Sequence, residues 1–210
     1  IMGRLLDDHG EDFRDPHRDW HCVNALRLGM ASAHRNNTVS PTYAREMTEA
    51  PDESRYFMGG CGIESIARSL YPERLVGILN GFQYKAEPTA EAFAAALARK
   101  SEARSRLSRE FSNPGGLLLG FVGRAVEQKV RLLAEPLRGA PVIEHILAIP
   151  GVNLAVLGTG ERRYEEFLGG IPDSRGGVRN YLTTIRFDRE RAALVSQGCD
   201  VFLMPSLFEP

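Results

Sequence analysis

Leu117-Leu118-Leu119-Gly120-Phe121-Val122-Gly123-Arg124 decides the reading of this chain. Six residues form an unbroken apolar run, and a glycine stands on either side of it. A strand with one face in water alternates polar and apolar residues; a run without alternation is covered on both faces, as in a parallel sheet. Three further runs follow at helix-sized intervals: Leu154–Leu157 ending in Gly158-Thr159-Gly160, Tyr181–Phe187, and Val201–Met204 ending at Pro205. The segments between them, Val126–Leu137, Pro141–Ala148, Glu161–Leu168 and Arg189–Gln197, have helical composition. Strands alternating with helices predict an α/β, Rossmann-like parallel sheet.

Upstream the pattern is looser. Residues 1–60 are polar and irregular, with a helical spacing of Val23, Leu26, Met30 and Ala33. Thr38-Val39-Ser40 reads as a short buried strand that turns into a helix beginning near Pro41. Leu75–Leu79 is a second short run, closed by the turn signal Asn80-Gly81. Thr89–Phe111 is built from good helix formers, and its basic residues, interspersed with Glu91, Glu102 and Glu110, read as a solvated face. Asn113-Pro114-Gly115-Gly116 is a loop, and the α/β pattern begins after it.

The 210 residues carry 26 Lys and Arg against 27 Asp and Glu, a net charge of −1. Nucleic-acid and anionic-membrane partners are excluded on that balance, because both demand a basic surplus. No apolar run reaches the roughly 18 residues needed to span a bilayer. Cys22, Cys61 and Cys199 form no C-x-x-C pair, which points to a reducing, cytoplasmic setting. His17 and His21 have the spacing of two ligands on a helix. Without H-E-x-x-H, and with Pro16 beside them, they read as a polar surface segment and no metal is expected.

In doubly wound sheets, ligands sit at the carboxyl ends of the strands. Gly158-Thr159-Gly160 has two glycines of a dinucleotide turn, but Arg163 stands where the third belongs, which argues against NAD. Neither a P-loop nor G-x-S-x-G occurs. Arg124 follows the first strand and Lys129 lies five positions on, at the start of the next helix. Both cations can meet a diphosphate there, with the helix N-terminus adding positive potential. On position alone they read equally as ordinary surface charges.

Gly120-Phe121-Val122-Gly123-Arg124 followed by Glu127-Gln128-Lys129 resembles the F-V-G-R-L-x-x-Q-K-G signature of bacterial glycogen synthases and plant starch synthases. Four more segments match in order. They are Thr38-Val39-Ser40-Pro41-Thr42-Tyr43-Ala44, Gly77-Ile78-Leu79-Asn80-Gly81, Leu157-Gly158-Thr159-Gly160, and Pro205-Ser206-Leu207-Phe208-Glu209-Pro210.

The resemblance implies a GT-B glycosyltransferase of two Rossmann-like domains, seen in part. Residues 1–80 would be the end of the first, acceptor-side domain, 81–116 a connection with its helix, and 117–210 the first half of the nucleotide-sugar domain. The implied reaction is transfer of glucose from ADP-glucose to the non-reducing end of an α-1,4-glucan with retention, by front-face attack and without a cofactor. Arg124 and Lys129 would hold the diphosphate, and Glu209 would lie beside the donor glucose. Asn80, Gly158, Thr159, Gly160, Phe187 and Asp188 would line the substrate site. UDP-glucose as donor, and a non-catalytic glucan- or sugar-nucleotide-binding remnant, are the alternatives. Departures from the family pattern stand at Ala125, Val130, Arg186 and Leu207. Val130 is expected to alter the backbone's approach to phosphate, and Arg186 to crowd a compact turn. The family's K-x-G-G-L loop and the histidine of H-N-x-x-x-Q-G have no counterpart, which with the match covering residues 20–210 leads to the expectation of an internal portion.

Overall fold

A computed structural model describes residues 24–81 and 89–209. The His17/His21 pair, Cys22, Val23 and Pro210 lie outside the described residues. Those described fall into two compact units, the first drawn from Ile1–Tyr84 and Phe208–Pro210, the second from Lys85–Leu207.

In the first unit, α1 (Ala25–Ser32) starts where the Asn24 side chain accepts the Arg27 N–H at 3.3 Å. The strand β1 (Asn36–Thr38) precedes α2 (Pro41–Glu46), whose N-cap Ser40 accepts the Tyr43 N–H at 3.0 Å. The strand thus ends before Val39, because Ser40 is committed to the cap, and Val39 is exposed rather than buried. After α3 (Glu64–Leu70), β2 (Leu75–Gly77) pairs parallel to β1, Asn36 opposite Leu75 and Thr38 opposite Gly77. Met30, Ala44, Met47, Ala67, Leu70 and Leu75 close a small core.

The second unit opens with α4 (Ala90–Ser108), capped by Thr89. It continues through β3 (Leu117–Val122), α5 (Glu127–Ala134), a tight hairpin of β4 (Pro136–Leu137) and β5 (Ala140–Pro141), and α6 (Val142–Leu147). Then come β6 (Val152–Leu157), α7 (Arg162–Gly170), a second hairpin of β7 (Ser174–Arg175) and β8 (Val178–Arg179), β9 (Tyr181–Thr184), α8 (Arg189–Gly198) and β10 (Val201–Phe202). The main sheet has the order β10-β3-β6-β9 and every pair is parallel.

Its two faces explain the unbroken apolar runs. Leu119, Phe121, Leu154, Val156 and Tyr181 pack on one face with Val130, Leu133, Ile143, Leu147 and Leu168 from α5, α6 and α7. Leu118, Ala155 and Leu182 pack on the other with Leu107, Val195 and Cys199. Successive residues serve opposite cores, so the runs are apolar almost throughout; the buried Asn153 of β6 is accommodated by donating to the Asn113 carbonyl at 2.8 Å. Each fully buried leucine contributes up to about 2–3 kcal/mol by removal from water.

Two basic residues of α4 are not merely solvated. Lys100 donates to the Cys199 carbonyl at 2.6 Å, and Arg104 forms a two-pronged pair with Asp200 at 2.9–3.0 Å. Asp200 also accepts the Leu118 N–H at 2.9 Å. Burial alone would raise its carboxyl, but the Leu118 N–H and the Arg104 guanidinium outweigh burial and hold it below the ordinary range. Helix α4 is thereby fixed to the beginnings of β3 and β10.

Candidate functional site

Four parallel strands put four loops at one sheet edge. Those after β3, β6 and β10 are tied together by backbone hydrogen bonds. The Ala125 N–H donates to the Thr159 carbonyl at 2.9 Å, and the Ala125 carbonyl accepts the Glu161 N–H at 2.7 Å. This extends the β3–β6 pairing by an isolated parallel bridge between Ala125 and Gly160. The Leu207 N–H donates to the Gln128 carbonyl at 2.8 Å, joining the post-β10 loop to the first turn of α5.

The glycines permit this proximity. A Cβ on Gly158 would stand 1.9 Å from the Gly123 carbonyl oxygen, and one on Gly160 would stand 2.5 Å from that of Ala125. The two-glycine turn is therefore required by close approach of two main chains, whatever it binds. Ala125, completely buried, is the small side chain at the junction.

Arg124 is exposed in the loop after β3, and Lys129 is the third residue of α5 and half-buried. The side chain of Val130 is fully buried in the core beneath α5, so it adds no bulk toward the strand-end crevice. Thr159 and Gly160 are exposed, Gly158 buried.

Around this junction lies an ion-pair network that sequence reading missed. Glu127, the first residue of α5, pairs with Arg163 at 2.9 Å and with Arg131 at 3.0 Å. Arg163 also pairs with Glu161 at 2.8 Å, and Glu161 accepts the Glu127 backbone N–H at 3.3 Å. Hydrogen bonding from Arg163, reinforced by Arg131, holds the Glu127 carboxyl below its ordinary range. The signal available in the sequence was Arg163 itself, which registered only as a missing glycine.

Past β9, Phe187 projects into solvent, 81% exposed, with the Arg189 guanidinium 5.8 Å from its ring centroid. The Asp188 carboxylate caps α8 by accepting the Arg191 N–H at 2.9 Å, and it pairs with Arg186 at 3.0 Å. That backbone bond first, then the Arg186 guanidinium, holds its carboxyl below the ordinary range. The Arg186 side chain, expected to crowd this turn, lies largely in solvent and pairs with Asp188. Along β9 a shallow cavity of about 420 Å³ is lined by Glu110, Arg179 and Arg191 and reaches Thr184 and Arg186 at the strand's carboxyl end. It holds none of the candidate residues. Asn80 belongs to the first unit, where it is exposed beyond the end of β2, and Glu209 is exposed two positions after Leu207.

Among the described residues no group of three or more His, Cys, Asp or Glu could hold a metal ion. No helix there is long and apolar enough to cross a membrane. Cys61 and Cys199 are free thiols.

Comparison with known proteins gives the class first. The chain matches the catalytic domain of Starch Synthase IV from Arabidopsis thaliana, a structure bound to ADP and acarbose, with a TM-score of 0.66 at 23% identity. The match covers 90% of this chain and 38% of that one, and defines an α/β protein with the fold found in a starch synthase catalytic domain. A family model described as starch synthase catalytic domain matches residues 4–69. Glycogen synthase 1 of Methylococcus capsulatus is 36% identical over 199 residues, covering 90% of this chain and 37% of that protein. The glycogen synthase of Alkalilimnicola ehrlichii is 37% identical over 207 residues, covering 88% and 38%. The chain belongs to the glycogen and starch synthase family. It spans a little over a third of the length of these relatives.

Proposed function

We propose that the protein is a retaining glucosyltransferase that moves glucose from ADP-glucose to the non-reducing end of an α-1,4-glucan. The observation that carries this reading is the junction of three strand-end loops, with Arg124 on one of them and Lys129 in the helix turn that follows. Parallel sheets bind ligands at this edge, and family membership supplies the substrate class. On this reading the division is 1–80 for the acceptor side, 81–116 for the connection and 117–210 for the nucleotide-sugar part. The reaction is cytoplasmic and uses no cofactor.

The guanidinium of Arg124 and the ammonium of Lys129 bind the diphosphate and stabilise the negative charge that grows as ADP departs. Charge aimed at a developing anion lowers the barrier because it acts more strongly on the transition state than on the ground state. The nucleotide portion meets the Gly158–Gly160 turn at its exposed residues, Thr159 and Gly160, while the glycines let this loop close on the one after β3. Phe187 offers an exposed aromatic face to the same portion, and Asp188 positions that loop by capping α8. Glu209 lies beside the donor glucose and Asn80 contacts the donor. Retention follows the front-face course that the family resemblance implies: the acceptor hydroxyl attacks on the face the phosphate leaves, and the phosphate takes its proton.

The test is incorporation of labelled glucose from ADP-glucose into glycogen by the intact protein, with Lys129→Ala beside it. The expected result is a fall of about 100-fold or more in kcat/KM, the usual scale for one lost charge-stabilising donor. Equal activity in the variant overturns the diphosphate role. Preference for UDP-glucose in direct competition overturns the donor assignment, and ADP binding without any turnover favours the non-catalytic alternative.

A further inference from the structure

We propose that Arg163 is a positioning residue for the donor site, a clamp that holds the start of α5, and with it Lys129, against the Gly158–Gly160 turn. The inference rests on the reading above and adds to it a residue outside the candidate set. Arg163 is the second residue of α7, immediately after the turn. Its Nη2 lies 2.9 Å from Glu127 Oε2 and 2.8 Å from Glu161 Oε2, while its Nε donates to Glu161 Oε2 at 2.9 Å. The other Glu161 oxygen accepts the backbone N–H of Glu127. One guanidinium thus closes a ring: α7 to Glu127, along α5's first N–H to Glu161, and back to α7.

Two features make this more than a surface pair. The guanidinium carbon sits 4.6 Å from the ring centroid of Tyr164, which is 8% exposed, so the clamp rests on the core. Glu127 is held from its far side by Arg131, so its carboxylate has little freedom to follow a moving Arg163. The backbone bonds at Ala125 set the spacing of the two loops, and the clamp sets the helix that follows the first of them. It also has an electrostatic effect. Glu127 and Glu161 are carboxylates at the rim of a site for an anionic diphosphate; Arg163 pairs with both, and Arg131 shares Glu127. Loss of Arg163 releases α5 and leaves Glu161 without a guanidinium partner beside the donor.

The experiment measures donor and acceptor kinetics and ADP affinity by calorimetry for the intact protein and three variants. Partial exposure of all three side chains keeps the effect moderate. Arg163→Ala raises the ADP-glucose KM and the ADP Kd by about 3- to 10-fold. It also lowers kcat by about 2- to 5-fold, because Lys129 serves the transition state too, with the glycogen KM within about 2-fold and the Tm nearly unchanged. Arg163→Lys falls between, because an ammonium lacks the fork that spans two carboxylates. Glu161→Gln added to Arg163→Ala restores part of the donor affinity by removing the carboxylate left without a guanidinium partner. Unchanged donor KM and ADP Kd in Arg163→Ala overturn the clamp, as does a fall in kcat alone. A fully active Lys129→Ala instead overturns the underlying donor-site reading, so the two failures are distinguishable.

Discussion

Replacing Gly158 by alanine tests the loop junction directly. The new Cβ would stand 1.9 Å from the Gly123 carbonyl oxygen, whereas real Cβ atoms essentially never come within 3.0 Å of such a neighbour. The obstacle is main chain, so relief requires the loops after β3 and β6 to part by more than 1 Å. The Ala125–Thr159 and Ala125–Glu161 hydrogen bonds, now 2.9 and 2.7 Å, do not survive that separation. Two lost bonds at about 1 kcal/mol each, with about 1–3 kcal/mol of overpacking, give a destabilisation of about 3–5 kcal/mol. Urea unfolding followed by far-UV circular dichroism reads the shift in the transition that carries the main sheet. Hydrogen exchange at the Ala125 and Glu161 amides localises it. Gly170→Ala is the control: no atom lies within 4 Å of its added Cβ, and its effect stays within about 0.5 kcal/mol. A Gly158→Ala protein as stable as that control, with both amides still protected, would refute the argument from close approach.

Asp200→Ala removes the acceptor of the Leu118 N–H and the partner of Arg104, and costs about 2–3 kcal/mol by urea titration. Because the native Asp200 carboxyl is held below its ordinary value of 3.8, its contribution is full above that value. It is lost as the pH falls through the lower native one, so the variant's acid unfolding is less steep than wild type's. Tyr181→Phe deletes the buried hydroxyl that donates to the Leu168 carbonyl at 2.9 Å, and lowers stability by about 1–2 kcal/mol. Burial pushes the Tyr181 hydroxyl up to about 12, so its contribution is intact below the ordinary value of 10.0 and disappears as the pH rises toward 12. An alkaline titration followed by circular dichroism loses that component in Tyr181→Phe.

The main sheet was legible because its signals are local. Leu117–Val122 needed no partner to announce a strand covered on both faces, and α8 was read to within one residue of its ends. Where bounds differ, competing local chemistry decided them. Val126–Leu137 ends as a helix at Ala134 because Pro136 excludes its predecessor Glu135 from helical geometry. Tyr181–Phe187 is a strand only to Thr184, since its single sheet partner β6 ends at Leu157. The candidate site was legible in part. Arg124, Lys129 and the glycine turn could be placed at strand ends from spacing, but the Arg163 network joins residues 36 apart in the chain, and only the β3–β6 register brings them together. Lys100 and Arg104 were read as solvated for the same reason: their partners are almost a hundred residues away.

The strand order also has a consequence during synthesis. β3 is flanked by β6 on one side and by β10 on the other, with Leu119 opposite Val201. A chain made from its amino end exposes β3 about 80 residues before its second neighbour exists, roughly 4–16 s at ordinary ribosome speeds. Through that interval one side of a strongly apolar strand has no ladder partner, and the Leu118 N–H awaits the Asp200 carboxylate. The early sheet is a template open to the wrong strand, and the arrival of Asp200, Val201 and Phe202 closes it.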